Sequence, residues 1–405
     1  MRKLDVRLDW GDEQVLVGTL AEQERVLYFE YDSAFIAKPL PISPFKLPVR
    51  PGVFEHRERE FGDVFGVFND SLPDGWGLLL MDREFRKRGH DPAALSVLDR
   101  LAYIGTRGMG ALTYHPPAAT DDETDLLIDL EELARQAERV LEGSAEEILP
   151  ALRIAGGSPG GARPKVLVGV GEDGRLISGA SDLPEGYRHF IVKFPAGEDV
   201  PDVGAVEAAY ALMAREAGID VPTTRLFETK DGGRYFGAER FDRQGTLRLH
   251  MHTLSGLFHA SHRIPSMEYE GLLKATMALT RDRRQMEEAF RRMAFNVFAH
   301  NRDDHVKNFS YLMDRSGEWR FAPAYDIVFS QGPRGEHTMA VAGEAARPTE
   351  RDMLRVAEDC DVDVRRAREI MREVRDAINQ WPRFALDTGV SGETVSRIEK
   401  VIMGP

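Results

Sequence analysis

The sequence predicts an α+β fold, on three observations. Short strand-like runs and turns fill the first 115 residues; two more strand-like runs follow at 166–170 and 189–194; and helix patterns dominate from about residue 250. At 405 residues, with 42% hydrophobic and 30% charged side chains, the chain has the length for two or three domains and the composition of a globular protein.

Taken in order, "RVLYFEYDS" at 25–33 reads as strand and "GWGLLLMDREFRKRG" at 75–89 as helix, so residues 1–115 form one α+β subdomain. "HPPAATDDETD" at 115–125 combines proline, small and acidic residues, a linker composition, and places a boundary there. Residues 116–148 then hold this acidic linker and the helical pattern "LLIDLEELARQAERVLEG". A third region, 149–248, opens with the Gly-rich "AGGSPGGARPK" and carries the strands "VLVGV" and "HFIVKF". The fourth, 249–405, is largely helical: in "MEEAFRRMAFNVFAH" the residues Met286, Ala289, Phe290, Met293, Ala294, Val297 and Phe298 recur at helical spacing. No internal repeat is evident.

Composition also excludes. Cys360 is the only cysteine, so the chain has no internal disulfide and no multi-thiolate metal site, and a cytoplasmic compartment is expected. No apolar run approaches the roughly 18 residues that span a bilayer, so no membrane association is expected. A net charge of -14 repels nucleic-acid phosphates, which argues against direct DNA or RNA binding.

Two motif matches fail on chemistry. "GVGEDG" (169–174) fits a dinucleotide fingerprint, but no helix pattern follows and Glu172 and Asp173 would face the pyrophosphate; a hairpin turn is the better reading. "GGSPG" (156–160) fits a hydrolase nucleophile elbow, yet Pro159 has no N–H to give an oxyanion.

What remains is a Gly-rich loop, a strand lysine, a polar loop and a late aspartate, in that order. "NRDDHVKN" sets Arg302-Asp303 five residues before Asn308, the spacing of a protein-kinase catalytic loop. An aspartate there can take the proton of an attacking hydroxyl, and the asparagine carbonyl can ligate Mg²⁺. Asp326, in the apolar run "FAPAYDIVFS", supplies a second metal ligand; a carboxylate in such surroundings needs a cation. Lys193, mid-strand, needs an anion, met by nucleotide phosphates or by Glu207 of the helix pattern "AVEAAYALMAREAG". Gly160 and Gly161 let backbone N–H groups approach phosphates. Singly, these residues read as a solvated loop, an edge-strand lysine, a surface helix glutamate and a turn cap. Together, in kinase order, they point to an ATP phosphotransferase. A metal hydrolase using Asp303, Asp304, His305 and Asp326 would leave Lys193 and the glycines unexplained.

The same residues, with the N-terminal "FNDSLPDGWG" and "LAYIGTRGMGAL", "HFIVKFP" and "AERFDR", resemble the HipA family of bacterial toxin-antitoxin kinases over residues 15 to about 380. The resemblance implies a protein-kinase-like two-lobed core with a largely helical C-lobe and an N-terminal α+β subdomain. It implies a serine/threonine kinase that uses ATP and Mg²⁺ and phosphorylates a translation-related protein such as an aminoacyl-tRNA synthetase. Its partner would be a small DNA-binding antitoxin of the HipB type. By the match, Asp303 is the base, Asn308 and Asp326 the metal ligands and Lys193 the phosphate lysine. The backbone at Glu239 and Phe241 would meet adenine, Asp242 would lie near the ribose, and His305 and Lys307 near the phosphates. Ser158 matches a serine that family members phosphorylate on themselves, to their own inhibition. Other readings open at this point are a small-molecule phosphotransferase and a nucleotide-binding, non-catalytic component of a repressor complex.

Overall fold

The computed structural model describes residues 2–58, 60–118, 127–145, 152, 161–180, 182–197, 199–261, 264 and 266–404. Strands β1 (Arg2–Asp9), β2 (Gln14–Gln23), β3 (Val26–Tyr31), β4 (Val53–Glu55) and β5 (Leu112–His115) form an antiparallel sheet in the order β4-β3-β2-β1-β5. Period-two alternation decides its inner face: Leu4, Val6 and Leu8 of β1 and Leu27, Phe29 and Tyr31 of β3 are buried. Helices α1 (Ser33–Ala37), α2 (Gly66–Asn69), α3 (Gly75–Lys87) and α4 (Val97–Ile104) complete the subdomain, the last started by a capping box between Ser96 and Asp99.

A second antiparallel sheet is built from β6 (Lys165–Gly171), β7 (Leu176–Ser178), β8 (Tyr187–Lys193), β9 (Thr224–Glu228) and β10 (Arg234–Glu239), in the order β7-β6-β8-β10-β9. The "GVGEDG" stretch is the β6–β7 turn, closed by Gly171 N–H donating to Arg175 O at 2.9 Å. Helix α5 (Leu130–Glu142) starts at the Asp129 cap and stops at Gly143, which is left-handed. Trp76 and Leu80 of α3 share one core with Leu130, Leu133 and Val140 of α5 and with Val166, Val168, Phe190 and Val192 of this sheet. The N-terminal subdomain therefore contributes a helix that also covers the N-lobe sheet. Trp76 Nε1 donates to Lys165 O at 3.1 Å, which gives the buried indole a partner and sets its depth.

Helix α6 (Val203–Glu216) is apolar on nearly every side because it is enclosed, against β9 and β10 on one side and the C-lobe helices on the other. Gly204 allows the close approach: a Cβ there would stand 2.4 Å from Arg234 O. A β11 (Arg243–Gln244) to β12 (Leu247–Arg248) hairpin leads into the C-lobe, which holds a three-stranded sheet of β13 (His250–Thr253), β14 (Ser310–Met313) and β15 (Trp319–Phe321). Its helices are α7 (Leu254–Phe258), α8 (Tyr269–Thr280), α9 (Arg283–Phe298), α10 (Glu350–Asp359), α11 (Val364–Ile378), α12 (Trp381–Asp387) and α13 (Gly392–Ile402). Helix α9 packs on α8 and α11 and carries the periodic apolar residues read from the sequence. Among the described residues no helix is long and apolar enough to cross a membrane.

The N-terminal subdomain is held to the C-lobe by buried polar contacts. Asp70 accepts from Thr253 N–H and Thr253 Oγ1, each at 2.7 Å, and pairs with His252 Nδ1 at 2.6 Å. Residues 119–125 of the linker and 155–160 of the Gly-rich stretch, with Ser158 and Gly160, lie outside the described residues.

Candidate active site

Helix α9 delivers the polar loop. Asn301, one turn past its end, donates through Nδ2 to Asn296 Oδ1 at 3.0 Å; Asn296 donates to Tyr269 Oη at 2.9 Å, and Tyr269 donates to Asp304 at 2.6 Å. Asp304 also meets His337 Nδ1 and Thr338 N–H, both at 2.8 Å, and is 1% exposed. Its oxygens are fully occupied, so the second aspartate of "RDD" is a brace between α8, the loop and the segment after Asp326. The hydrolase reading, which needs Asp304 at a metal, loses that ligand.

Asp303, next to it, opens to solvent. Partial burial and the neighbouring Asp326 and Asp304 charges push its carboxyl above the usual carboxylate range, against the opposing pull of His305 and Arg163. Asn308 closes the 3-10 turn Val306–Asn308 and donates Nδ2 to Asp303 O at 2.8 Å, which leaves its amide oxygen as the end able to ligate. Asp326 has φ +57, a left-handed conformation rare for a residue with a Cβ, and shares a small cavity with Asn308.

Lys193 donates to Asp326 at 2.6 Å and to Glu207 Oε1. Burial disfavours its charge, but the two carboxylates outweigh burial and hold the ammonium above its usual range; Asp326 is correspondingly held below its own, first by Lys193. Glu207, 3% exposed on the enclosed helix α6, is thus the lysine's helix partner. Lys165 faces Lys193 across the β6–β8 pair and is buried, and burial lowers its pKa although Asp326, Asp74 and Glu207 act to raise it. Sequence reading assigned Lys165 no role.

Glu239, at the end of β10, pairs with Arg188 at 3.2 Å and donates its backbone N–H to Thr223 O at 2.8 Å. Phe241 lies where the chain passes between the lobes, its ring centroid 5.5 Å from that of Tyr325, beside Asp326. Asp242 corrects the ribose expectation. It is 0% exposed, and its carboxylate binds Arg240 at 2.7 and 3.0 Å, Arg243 at 2.7 Å and the Gly110 N–H at 2.7 Å. Those donors, two of them arginines, hold it below the usual carboxylate range despite burial, and with no exposed surface it offers no face to a sugar. It locks the "GTRGMG" loop of the N-terminal subdomain to the kinase-like core.

His305 acts on both Asp303 and Asp326, lowering each. Lys307 reaches away from them to Asp74, at 2.7 Å, and Asp74 also accepts from Gly161 N–H. Asp74 comes from the "LPDGWG" turn of the N-terminal subdomain and was missed by sequence reading, because nothing local in a Pro-Asp-Gly turn announces a contact with residues 161 and 307. A cavity of about 290 Å³ flanks the site, lined by Arg163, Asp199, Val203, Val328, Phe329 and Arg397.

Comparison with known proteins sets this geometry in a family. Residues 8–115 match the HipA N-terminal domain and residues 157–381 the HipA-like C-terminal domain. This chain belongs to the HipA family. The HipA fold is also found by structure: the Shewanella oneidensis MR-1 HipA, solved with HipB and its operator DNA, superposes with a TM-score of 0.71 at 16% identity, over 99% of this chain and 95% of that one. A curated Haemophilus influenzae protein, provisionally named a kinase, is 27% identical over 154 residues, 35% of this chain and 45% of its own length. The chain thus spans about half the length of that curated relative. The Helicobacter pylori proinflammatory kinase CtkA aligns over 53% of this chain with a TM-score of only 0.33.

Proposed function

We propose that this HipA-family chain is an ATP- and Mg²⁺-dependent kinase of protein serine or threonine hydroxyls, acting as the toxin of a toxin-antitoxin pair. The observation that carries the reading is Lys193 held between Glu207 and Asp326, with Asn308 lining one cavity with Asp326 and tied to Asp303, whose carboxyl feels the Asp326 charge. That arrangement is what phosphoryl transfer asks for: a cation fixed by a helix carboxylate, a metal-ligating aspartate and a base.

The donor set fits Mg²⁺. Asp326 and the Asn308 carbonyl are hard oxygen ligands, and a divalent cation would relieve the Asp326 repulsion that adds to burial in raising Asp303. When bound there, the metal supplies charge neutralisation for the transferring phosphoryl group. Asp303 orients the acceptor hydroxyl and takes its proton as the oxygen attacks the γ-phosphorus; the bond to the β-phosphate bridging oxygen breaks and ADP leaves. Lys193 steadies the phosphates, and the Glu239–Phe241 backbone lies where adenine would enter. The substrate is proposed to be a protein of the translation apparatus, and the partner a HipB-type antitoxin, by analogy with the Shewanella complex.

Incubation of the purified chain with labelled ATP and Mg²⁺ tests the reading. Label on protein supports it; label on a small molecule moves the acceptor to another class; nucleotide binding without transfer would leave only a binding component. Ser158 is proposed as an autophosphorylation site, where about -1.5 to -2 added charges would repel nucleotide. Mass spectrometry after incubation should find phosphate on Ser158 together with reduced ATP affinity, and a wild type unmodified there while it labels other proteins would remove that part.

A further inference from the structure

We infer that Asp74, in the N-terminal subdomain, is a positioning residue for the nucleotide phosphates. It fixes the base of the Gly-rich loop and the catalytic-loop lysine in one arrangement, so the kinase site is incomplete without the N-terminal subdomain. The inference deepens the kinase reading and rests on it.

Four contacts converge on this point. Asp74 accepts from Gly161 N–H through one oxygen and from Lys307 Nζ through the other, at 2.7 Å. Two residues on, Trp76 N–H donates to Gly161 O at 3.1 Å, so Gly161 is gripped on both its backbone groups. Trp76 Nε1 reaches Lys165 O at 3.1 Å, where the Gly-rich loop becomes strand β6. Gly75 between them has φ +44, and a Cβ there would lie 2.6 Å from Ala162 Cα and 2.7 Å from Gly161 O. The backbones touch, and only glycine permits it.

Gly161 is closed in from the other side as well. It has φ +97, and a Cβ on it would fall 2.4 Å from Lys165 Nζ. The Asp74 carboxylate is therefore bracketed by a loop N–H and by lysines of two other elements, and it acts on the charge of Lys165 together with Asp326 and Glu207. These cations and the loop base are the groups a triphosphate would meet. A carboxylate that fixes the described base of the Gly-rich stretch, Gly161, in advance lowers the conformational cost of ordering it around a ligand.

Two physical effects of Asp74 oppose each other. Its negative charge repels phosphate, so its removal would tighten ATP; its bonds order the loop and Lys307, so their removal would weaken ATP. Charge-assisted hydrogen bonds are stronger than neutral ones, while a partly solvated charge acting across a cleft is screened. Positioning wins, and the sign of the change reads it.

The experiment uses the full chain and compares binding of Mg·ATP with binding of adenosine, by calorimetry, for wild type, Asp74→Ala and Asp74→Asn. Asp74→Ala should weaken Mg·ATP by about ten-fold or more, the equivalent of about one such bond, and leave adenosine nearly unchanged. Asp74→Asn keeps an acceptor for Gly161 N–H and should recover part of the loss, and it carries the test if the alanine variant fails to fold. Lys307→Met combined with Asp74→Ala should be no worse than the weaker-binding single variant, because both remove the same constraint. Unchanged or tighter Mg·ATP binding overturns the inference, as does equal loss of ATP and adenosine, which is the mark of general unfolding. A wild type with no affinity for Mg·ATP would overturn the kinase reading and this inference with it; a wild type that binds while Asp74→Ala binds equally overturns this inference alone.

Discussion

The buried seams of this molecule and its cleft treat the same side chain in opposite ways. In the seam between the N-terminal subdomain and the core, Asp242 is surrounded by Arg240, Arg243 and the Gly110 N–H, and Asp70 by His252 and Thr253. Asp304, beside Asp303 in the 301–308 loop, is matched just as completely. In the cleft, partial burial and the neighbouring Asp326 and Asp304 charges outweigh the pull of His305, so the proton affinity of Asp303 rises. Donors that surround a buried carboxylate on both oxygens make it a fixed joint. A carboxylate left short of positive charge is chemically available, and adjacent residues 303 and 304 of one loop show both states.

The first way to break this comparison is Asp303→Asn, which should slow phosphoryl transfer about 10²–10⁴-fold and leave Mg·ATP affinity nearly intact. Single-turnover kinetics beside calorimetry decides it, and equal losses in both would make Asp303 another joint. Next in size, Asp242→Ala should cost about 3–5 kcal/mol of stability, because it leaves two arginines buried side by side without their anion. Denaturant unfolding reads this, and a variant as stable as wild type would deny the seam its role. Asp326→Ala should weaken Mg·ATP by about ten- to hundred-fold or more, the range seen even for groups that only support a metal's ligands; calorimetry with unchanged affinity would take Asp326 out of the site.

The smallest effect per residue is a pH dependence of the buried histidines. Burial lowers His250 and His189 to about 3 and His259 to about 4, and His250 and His259 bond the N-terminal subdomain through Ile42 O and Gly66 N–H. With an unfolded value near 6.5, the unfolded chain binds more protons between that value and the folded ones. Stability contributed by the neutral imidazoles is therefore complete above about pH 6.5 and falls as pH drops towards the folded values, by about 1–2 kcal/mol per group at pH 5. Urea unfolding at pH 7 and pH 5 should show the loss, and His250→Gln should shrink it.

Legibility in the sequence followed distance along the chain. Asp303, Asn308 and their turn lie within one short segment, so their spacing was enough, and Lys193 stood out because a strand centre seldom holds an amine. Glu207 was reachable from helix order alone. Asp74 and Lys165 were not, because their meaning lies in contacts across many residues. Asp242 misled for a related reason: "ERFDR" beside the hinge has the composition of a ligand site, and only the fold reveals that Arg240 and Arg243 fold back onto it while Gly110 closes the third side. The burial of Asp304 beside an open Asp303 was equally invisible, since alternation along an irregular loop follows no period.

The shared core of α3 and β6 has a consequence for how the chain is made. Trp76 finds its acceptor at Lys165, 89 positions later, and at a synthesis rate of about 5–20 residues per second the ribosome needs roughly 5–20 s to supply that partner. Through that interval the nascent chain displays the indole of Trp76 and the side chain of Leu80 without the β6 and β8 side chains that complete their core. The newborn protein passes through a stage that offers chaperones an apolar handle, and the handle disappears only when the second lobe emerges.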